Sequence, residues 1–268
     1  MTTDACSAVS LRVSEPLAGT APTALTWVVV EHPGPWGRDA VVDSRLPDAA
    51  RTALARMKAA GIGILLGRPI DRTSPSSGPR ILVARTAPGG TLLRLGTSAD
   101  LAELRTWEPE ALAAGHLPAF GCVSREPVLL VCTQGRRDAC CAVHGRDLLR
   151  ALDAAASPHG RSRIWECSHI GGHRFAPVSL TLPTGEVHGR ARAEDATRLL
   201  AAAFAGEVVP ELLRGRSSQP PPLQRACVHI RCEFAVRDAD ALEALVVIKD
   251  RAVPVEAHWQ SDSDLVTT

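Results

Sequence analysis

The chain has 268 residues, of which 45% are hydrophobic, and its formal net charge at pH 7 is +1. This length is compatible with two domains, and the near-zero charge argues against a nucleic-acid or membrane-surface binder. The first residues lack a basic start with an apolar core, and no apolar run approaches the roughly 18 residues of a membrane span, so a soluble, cytoplasmic protein is expected. In that compartment the eight cysteines indicate ligands or redox groups rather than a disulfide framework.

The first half of the chain predicts a mixed unit of strands and helices. Apolar runs predict strands over residues 25–30, 62–66, 81–84 and 91–95. A helix is expected from about Pro47, because proline suits an early helical position, to Ala60, with Gly61 as its stop. A shorter helix is expected over 99–107, with Ser98 as its N-cap.

The second half repeats this order. Strands at 128–131 and 163–165 flank a helix near 144–156, and strands 178–182 and 186–190 form a hairpin around Pro183-Thr184-Gly185. A helix over 193–205 ends at Gly206. Strand, helix, strand, hairpin and helix form a reduced thioredoxin-like order. The chain is therefore predicted to be an α/β protein with two thioredoxin-like domains, residues 1–120 and 121–213, which meet near 118–125.

A third segment, residues 214–268, begins with a basic, proline-rich linker over 214–222. Val228, Ile230, Cys232 and Phe234 alternate with polar residues, and this period of two predicts a half-buried strand over 228–236. Residues 245–248 and 253–257 are predicted to add a hairpin. The segment is therefore expected to be a small β-rich C-terminal extension.

Two pairs of potential metal ligands follow predicted strands of the second half. Cys132 and Cys141 have eight residues between them, and His169 and His173 have three. Two thiols and two imidazoles form a four-ligand set for a metal ion or for a 2Fe–2S cluster, with two ligands for each iron. Two imidazoles in place of thiolates make such a cluster less negative, so its reduction potential is expected to lie above that of an all-cysteine ferredoxin. Electron uptake is expected to be coupled to proton uptake at exposed ring nitrogens.

The pattern leaves alternatives open. Gly171 and Gly172 lie between the histidines, so a loop is expected rather than the helix of H-E-x-x-H zinc peptidases. The same four ligands suit a structural zinc site in a binding module without redox activity. Cys140, next to Cys141, could be the ligand instead, or the two could act as the thiol pair of an oxidoreductase. Buried cysteines without any site are a further alternative.

Three kinds of neighbour are expected to support the site. Arg136, Arg137 and Asp138 are expected to order the cysteine loop, and Gly171 and Gly172 to let backbone N–H groups approach cluster sulfurs. Arg136, Arg137 and Arg174, in the loops around the site, are expected to steer an acidic partner. Cys140 is expected to be mainly a neighbour of the site, and no residue is assigned a catalytic role.

The segments around both ligand pairs resemble the sucrase/ferredoxin-like family. They read VCTQGRRDACC at 131–141 and ECSHIGGHRFAP at 166–177, with weaker support from EHPGPWG at 31–37, LPTG at 182–185 and RGR at 214–216. The resemblance implies that the second domain is a thioredoxin-like ferredoxin whose 2Fe–2S cluster is held by Cys132, Cys141, His169 and His173. It also favours Cys141 over Cys140 as the ligand.

The leading hypothesis is an electron carrier rather than a self-sufficient enzyme. The sequence shows no second cofactor site, because Gly61-Ile62-Gly63 follows a helix and is not a dinucleotide-binding pattern. The carrier would need a separate reductase or redox partner. Gln134 stands where related sequences are expected to have His, and this departure leaves the ligand set unchanged. No carboxylate pair suited to glycoside hydrolysis is visible.

Overall fold

The computed structural model of the protein describes residues 5–72, 78–99 and 101–242. In chain order its helices and strands are α1 (Cys6–Arg12), β1 (Thr26–Glu31), α2 (Asp48–Ala59), β2 (Gly63–Pro69), β3 (Arg80–Arg85), β4 (Leu92–Thr97), α3 (Pro109–Ala113), β5 (Cys122–Ser124), β6 (Val128–Cys132), α4 (Ala139–Ala155), α5 (Pro158–Arg161), β7 (Ile164–Cys167), β8 (Val178–Leu182), β9 (Glu186–Gly189), α6 (Ala196–Ala205), β10 (Leu213–Arg216) and α7 (Pro221–Glu233). Short 3-10 turns cover Ala102–Arg105, His173–Phe175, Ala193–Asp195 and Pro210–Leu212. Within these ranges no helix combines the length and apolar character needed to cross a bilayer.

The strands form one mixed, ten-stranded sheet in the order β10-β9-β8-β6-β7-β2-β1-β3-β4-β5. β1 runs parallel to β2 and antiparallel to β3, which pairs with β4. Likewise, β6 runs parallel to β7 and antiparallel to β8, which pairs with β9. A helix, α2 or α4, connects each parallel pair, as a parallel connection requires. The structure confirms a mixed α/β fold in which strand, helix, strand and hairpin occur twice.

The two halves meet at β2 and β7, which pair antiparallel with Gly67 opposite Cys167. Backbone contacts repeat around this pair. The N–H of His32 donates to the carbonyl oxygen of Gly67 at 2.8 Å, and the N–H of Thr133 donates to that of Cys167 at 3.0 Å. β2 and β7 are equivalent strands of the two halves, and they run in opposite directions. An approximate two-fold axis therefore relates the halves, as it relates the subunits of a symmetric dimer.

The register identifies the first-half position that corresponds to Cys132. Glu31 is the last residue of β1 that pairs with β2, opposite Gly67, just as Cys132 is the last of β6, opposite Cys167. The Glu31 carboxylate accepts from Arg80 Nε at 2.8 Å. The first half therefore has a carboxylate paired with an arginine where the second half has a thiol.

Apolar side chains cover both faces of the curled sheet. One face contributes to a core that includes residues of both halves, among them Trp27, Leu65, Leu130 and Trp165. Alternate residues on the other face pack against α2 in the first half and against α4 and α6 in the second. Strands that are buried on both faces have nearly continuous apolar sequences, which explains why these strands could be recognised in the sequence.

The predicted strand over 228–236 is wrong, because residues Pro221–Glu233 form helix α7. Proline at the first helical positions suits a helix start. The helix buries Gln224, Cys227, Val228 and Arg231, which are spaced as one face of a helix. Two of these four are polar, so their hydropathy did not indicate a helix. The predicted hairpin at 245–248 and 253–257 lies outside the described residues.

The predicted helix over 99–107 is replaced, among the described residues, by the 3-10 turn Ala102–Arg105. Leu101 has a positive φ of 59°, a left-handed conformation that interrupts a right-handed helix. The hydroxyl of Ser98 donates to the carboxylate of Glu103 and does not cap a helix.

Helix α4 begins at Ala139, whereas the sequence predicted a start near residue 144. Asp138 is its N-cap, and Asp138 Oδ1 accepts the N–H of Cys140 at 2.8 Å. Cys140 and Cys141 therefore lie in the first turn of a helix and not in a loop, which determines where their side chains point.

Candidate metal centre

Cys132 is the last residue of β6, a strand that is buried over its whole length. Its side chain is itself buried. The next residue, Thr133, donates its N–H to the carbonyl oxygen of Cys167 on β7, so the backbone at the strand end is held by the sheet. The thiol is therefore presented from a rigid element.

Cys141 reaches Cys132 because α4 lies very close to the end of β6. Gly145 is one turn further along α4, and a Cβ atom at this position would collide with the carbonyl oxygen of Cys132. A glycine permits this close approach. Cys140, in contrast, lies against α1, with its Sγ 3.5 Å from Cys6 Sγ. The structure thus brings Cys141 to Cys132 and gives Cys140 a different neighbour.

His169 comes from the loop after β7. Its Nδ1 lies 3.8 Å from the Sγ of Cys132 and 3.8 Å from the Sγ of Cys141. Its backbone N–H donates to Gln134 Oε1 at 2.7 Å, and Gln134 Nε2 donates to the carbonyl oxygen of Gly37 at 2.5 Å. The buried Gln134 side chain therefore links the histidine loop to a loop of the first half.

Gly171 and Gly172 give the histidine segment the loop conformation that the sequence predicted. Their φ values are +112° and +74°, which glycine adopts without strain. Gly172 also lies against the guanidinium of Arg214, where a Cβ atom would overlap that group. Arg214 donates from Nη1 to the carbonyl oxygen of Gly171 at 2.8 Å and from Nε to Thr20 Oγ1 at 3.0 Å. Through these hydrogen bonds the buried arginine holds the histidine loop in place.

His173 lies beside His169, one of the other three predicted ligands. The ring centroids of His173 and His169 are 5.9 Å apart. Its Nδ1 is 3.7 Å from Asp138 Oδ2, and ligand atoms of His173, Asp138 and Cys6 lie within 4.8 Å of one another. The ligand atoms of Cys132, Cys141 and His169 form a separate group within the same limit. The structure thus brings three of the four predicted ligands together and places the fourth, His173, beside His169 and in the group with Cys6 and Asp138.

The two buried thiols lose one proton easily and a second with difficulty. A hydrogen bond from the Cys141 thiol, assisted by His169, holds the pKa of Cys132 well below its ordinary value. That hydrogen bond, together with burial and the charge on Cys132, raises the pKa of Cys141. A bound cation would supply the charge that two adjacent thiolates require. Burial raises the pKa of Cys167 well above its ordinary value, so this neighbour stays a thiol within the core.

A sucrase/ferredoxin-like family model matches residues 17–215. The chain belongs to the sucrase/ferredoxin-like family. This finding confirms the resemblance seen in the sequence, and the matched range includes all four predicted ligands. Among solved structures, the chain is similar to a thioredoxin-like [2Fe-2S] ferredoxin from Aquifex aeolicus, with a TM-score of 0.32 and 20% sequence identity over 37% of this chain and 97% of that chain. The comparison with curated proteins found no match.

The predicted neighbours of this family member's site have distinct positions. Asp138 caps α4 and faces His173, as described above. Arg137 is exposed. Arg174 is 44% exposed, contacts Glu15 at 2.6 Å and lies over the ring of Phe175 with its Cζ 4.4 Å from the centroid. Steering of an acidic partner by these arginines stays a prediction.

Four residues that shape the site were not identified from the sequence. In the sequence, Gln134 stands out only as a departure from expected relatives and Arg214 only as part of a short motif, and no role is predicted for Cys6 or Gly145. Each acts through a partner that is distant in the chain, or through the lack of a side chain. The glycine inside a predicted helix was the one available signal, because such a residue often marks close packing.

Proposed function

We propose that this protein is an electron-transfer protein that carries one 2Fe–2S cluster on Cys132, Cys141, His169 and His173. The main supporting observation is that two buried thiols and one imidazole converge within 4.8 Å, with the His173 imidazole beside that of His169. Thiolate and imidazole are the donors that hold bis-cysteine, bis-histidine clusters. When bound, such a cluster exchanges single electrons.

The chain's own residues would hold, shield and charge this centre. β6 and α4 supply the thiols from rigid elements, and the common core excludes water from their inner side. Burial lowers the pKa of Arg214 to about 10, so its guanidinium stays positively charged at neutral pH. A fixed positive charge beside the histidine loop would favour the reduced form of the cluster over the oxidised form, because the reduced form carries one more negative charge.

We also propose that both halves are thioredoxin-like units, that only the second binds a cluster, and that the protein works in the cytoplasm with a separate reductase or redox partner. The strand order and strand directions, which repeat in the two halves, support two thioredoxin-like units. Glu31, which stands at the position that corresponds to Cys132, supports a cluster in the second half alone. The eight free cysteines are consistent with a reducing compartment.

The test is metal and sulfide analysis of protein purified without oxygen. About two irons and two acid-labile sulfides per chain, with visible charge-transfer absorption, are expected. The substitution Cys141→Ser should abolish the sulfide and the colour. The matched substitution Cys140→Ser, one residue away on the same helix turn, should retain both. Equal loss in the two variants would contradict the ligand assignment.

A structural zinc site is the second candidate. One observation favours this candidate. His173 Nδ1 faces Asp138, so Cys132, Cys141 and His169 form a Cys2His ligand group without His173. Zinc accepts mixed thiolate and imidazole ligands. A colourless protein with one zinc and no sulfide, even after anaerobic reconstitution with iron and sulfide, would replace the electron-transfer proposal by this one.

A further inference from the structure

Two thiols from distant parts of the chain meet beside the metal centre. Cys6 is the first residue of α1, Cys140 lies in the first turn of α4, and their Sγ atoms are 3.5 Å apart. A disulfide needs a separation of about 2.05 Å, so side-chain rotation has to close about 1.5 Å. Neither residue is one of the four proposed cluster ligands.

The surroundings hold the two sulfurs in this arrangement. The hydroxyl of Ser7 donates to Cys140 Sγ at 3.3 Å, and Cys6 Sγ lies 3.6 Å from Asp138 Oδ2. Cys6 is partly exposed, whereas Cys140 is buried. A small reagent therefore meets Cys6 first, and Cys140 is positioned behind it as the second thiol.

We propose that Cys6 and Cys140 form a reversible disulfide that fastens α1 to the first turn of α4. The oxidant is a low-molecular-weight disulfide, RSSR. Burial, Cys140 and Asp138 raise the pKa of the Cys6 thiol to about 12, so its thiolate is a minor species at neutral pH and the exchange is slow. This thiolate attacks one sulfur of RSSR, which forms a Cys6–SR mixed disulfide and releases one RS⁻. The Cys140 thiolate then attacks the Cys6 sulfur and releases the second RS⁻. In total two protein thiols become one disulfide, and RSSR takes up two electrons and two protons as 2 RSH.

This disulfide would complete a set of contacts that already hold α1 and the chain after it against the histidine loop. Arg190 donates from Nη2 to Ser10 Oγ at 2.8 Å and to the carbonyl oxygen of Glu15 at 2.8 Å. Glu15 in turn pairs with Arg174 at 2.6 Å. These contacts fix the C-terminal end of α1, and the disulfide would fix its N-terminal end. Closure should therefore protect the backbone amides of α1.

The test equilibrates the full-length protein, without oxygen, in glutathione buffers of increasing oxidised fraction. Free thiols are then alkylated, and tryptic peptides are analysed by mass spectrometry. The expected product joins peptide 1–12 to peptide 138–146 through Cys140, as shown by fragmentation. Cys6→Ser and Cys140→Ser should each lose this product. Cys232→Ser, which removes an exposed cysteine of α7, should retain it.

Hydrogen exchange of the α1 amides provides a second measurement. Oxidised wild type should exchange more slowly than reduced wild type, and Cys6→Ser should show no difference between the two buffers. The proposal is overturned if Cys6 is recovered only as its glutathione adduct, or if it is joined to Cys141 or to another cysteine. Iron and sulfide are measured on the same samples, because the disulfide does not depend on the cluster and either proposal can fail alone.

Discussion

Replacing Glu186 by glutamine should remove a large part of the pH dependence of stability. Glu186 begins β9 and is buried, and neither carboxylate oxygen has a hydrogen-bond partner within the described part of the chain. Burial raises the pKa of Glu186 to about 7, although Arg216 and Arg231 oppose the rise. The side chain borders a cavity of about 10 Å³ between β10 and α7, close to the volume that one water molecule needs.

The magnitude follows from the two pKa values. The unfolded chain has the ordinary value of 4.5, so between pH 4.5 and about 7 the folded state holds a proton that the unfolded state has lost. Stability from this carboxyl group is complete at low pH and is lost as the pH rises through the folded-state value. The full difference is about 3 kcal/mol, of which about 2 kcal/mol falls between about pH 5.5 and about pH 8.

Urea unfolding at these two pH values measures this effect. Wild type should lose about 2 kcal/mol more than Glu186→Gln as the pH rises. The control is Glu194→Gln, because the Glu194 side chain is 74% exposed and its removal should leave the pH dependence unchanged. If Glu186→Gln has the same pH dependence as wild type, the carboxyl group is already ionised across this range and the reasoning is wrong.

Three other substitutions have expected outcomes. Gly145→Ala should cost about 1–3 kcal/mol in urea unfolding and lower the metal content, because the added Cβ pushes α4 away from Cys132; unchanged stability would contradict the close approach. Arg214→Lys should lower the unfolding free energy by about 2 kcal/mol, since one ammonium group cannot replace the contacts of the guanidinium with Gly171 and its neighbours. An unaltered melting temperature would refute that role. Burial lowers the pKa of His188 to about 4 from 6.5, so stability should fall by about 3 kcal/mol as the pH drops from about 6.5 to about 4. His188→Gln should show a smaller fall in urea unfolding over that interval, and an equal fall would exclude His188 as the cause.

The strands could be predicted because the sheet is buried on both faces. A strand that is buried on both faces has a continuous apolar run, such as 128–131, instead of an alternation of apolar and polar residues. The glycines and prolines between these runs mark the turns. The C-terminal helix could not be predicted in the same way. Its inner face includes Gln224 and Arg231, and Gln224 Nε2 donates to the carbonyl oxygens of Arg216 and Gln219. Burial through such backbone contacts leaves no hydrophobic period in the sequence.

The candidate ligand residues could be selected from the sequence because their spacing is local. The pairs Cys132 with Cys141 and His169 with His173 each lie within one short segment, and glycines between the histidines indicate a loop. The supporting contacts could not be predicted, because each depends on how distant segments pack. Cys6 meets Cys140 across more than a hundred residues of chain, and Gln134 finds its acceptor at Gly37 only because the two halves share one sheet.

The shared sheet also assigns a role to the first half. β7 is an inner strand only because β2 pairs with it, and without β2 it would be an unpaired edge. Glu166 on β7 is paired with Arg68 of β2 at 2.5 Å, and Gln134 holds His169 while it is itself held by Gly37. The first half thus supplies backbone, charge and hydrogen-bond partners to a candidate centre whose proposed ligands all come from the second half. This division explains how a half that has Glu31 in place of the thiol still contributes to the site.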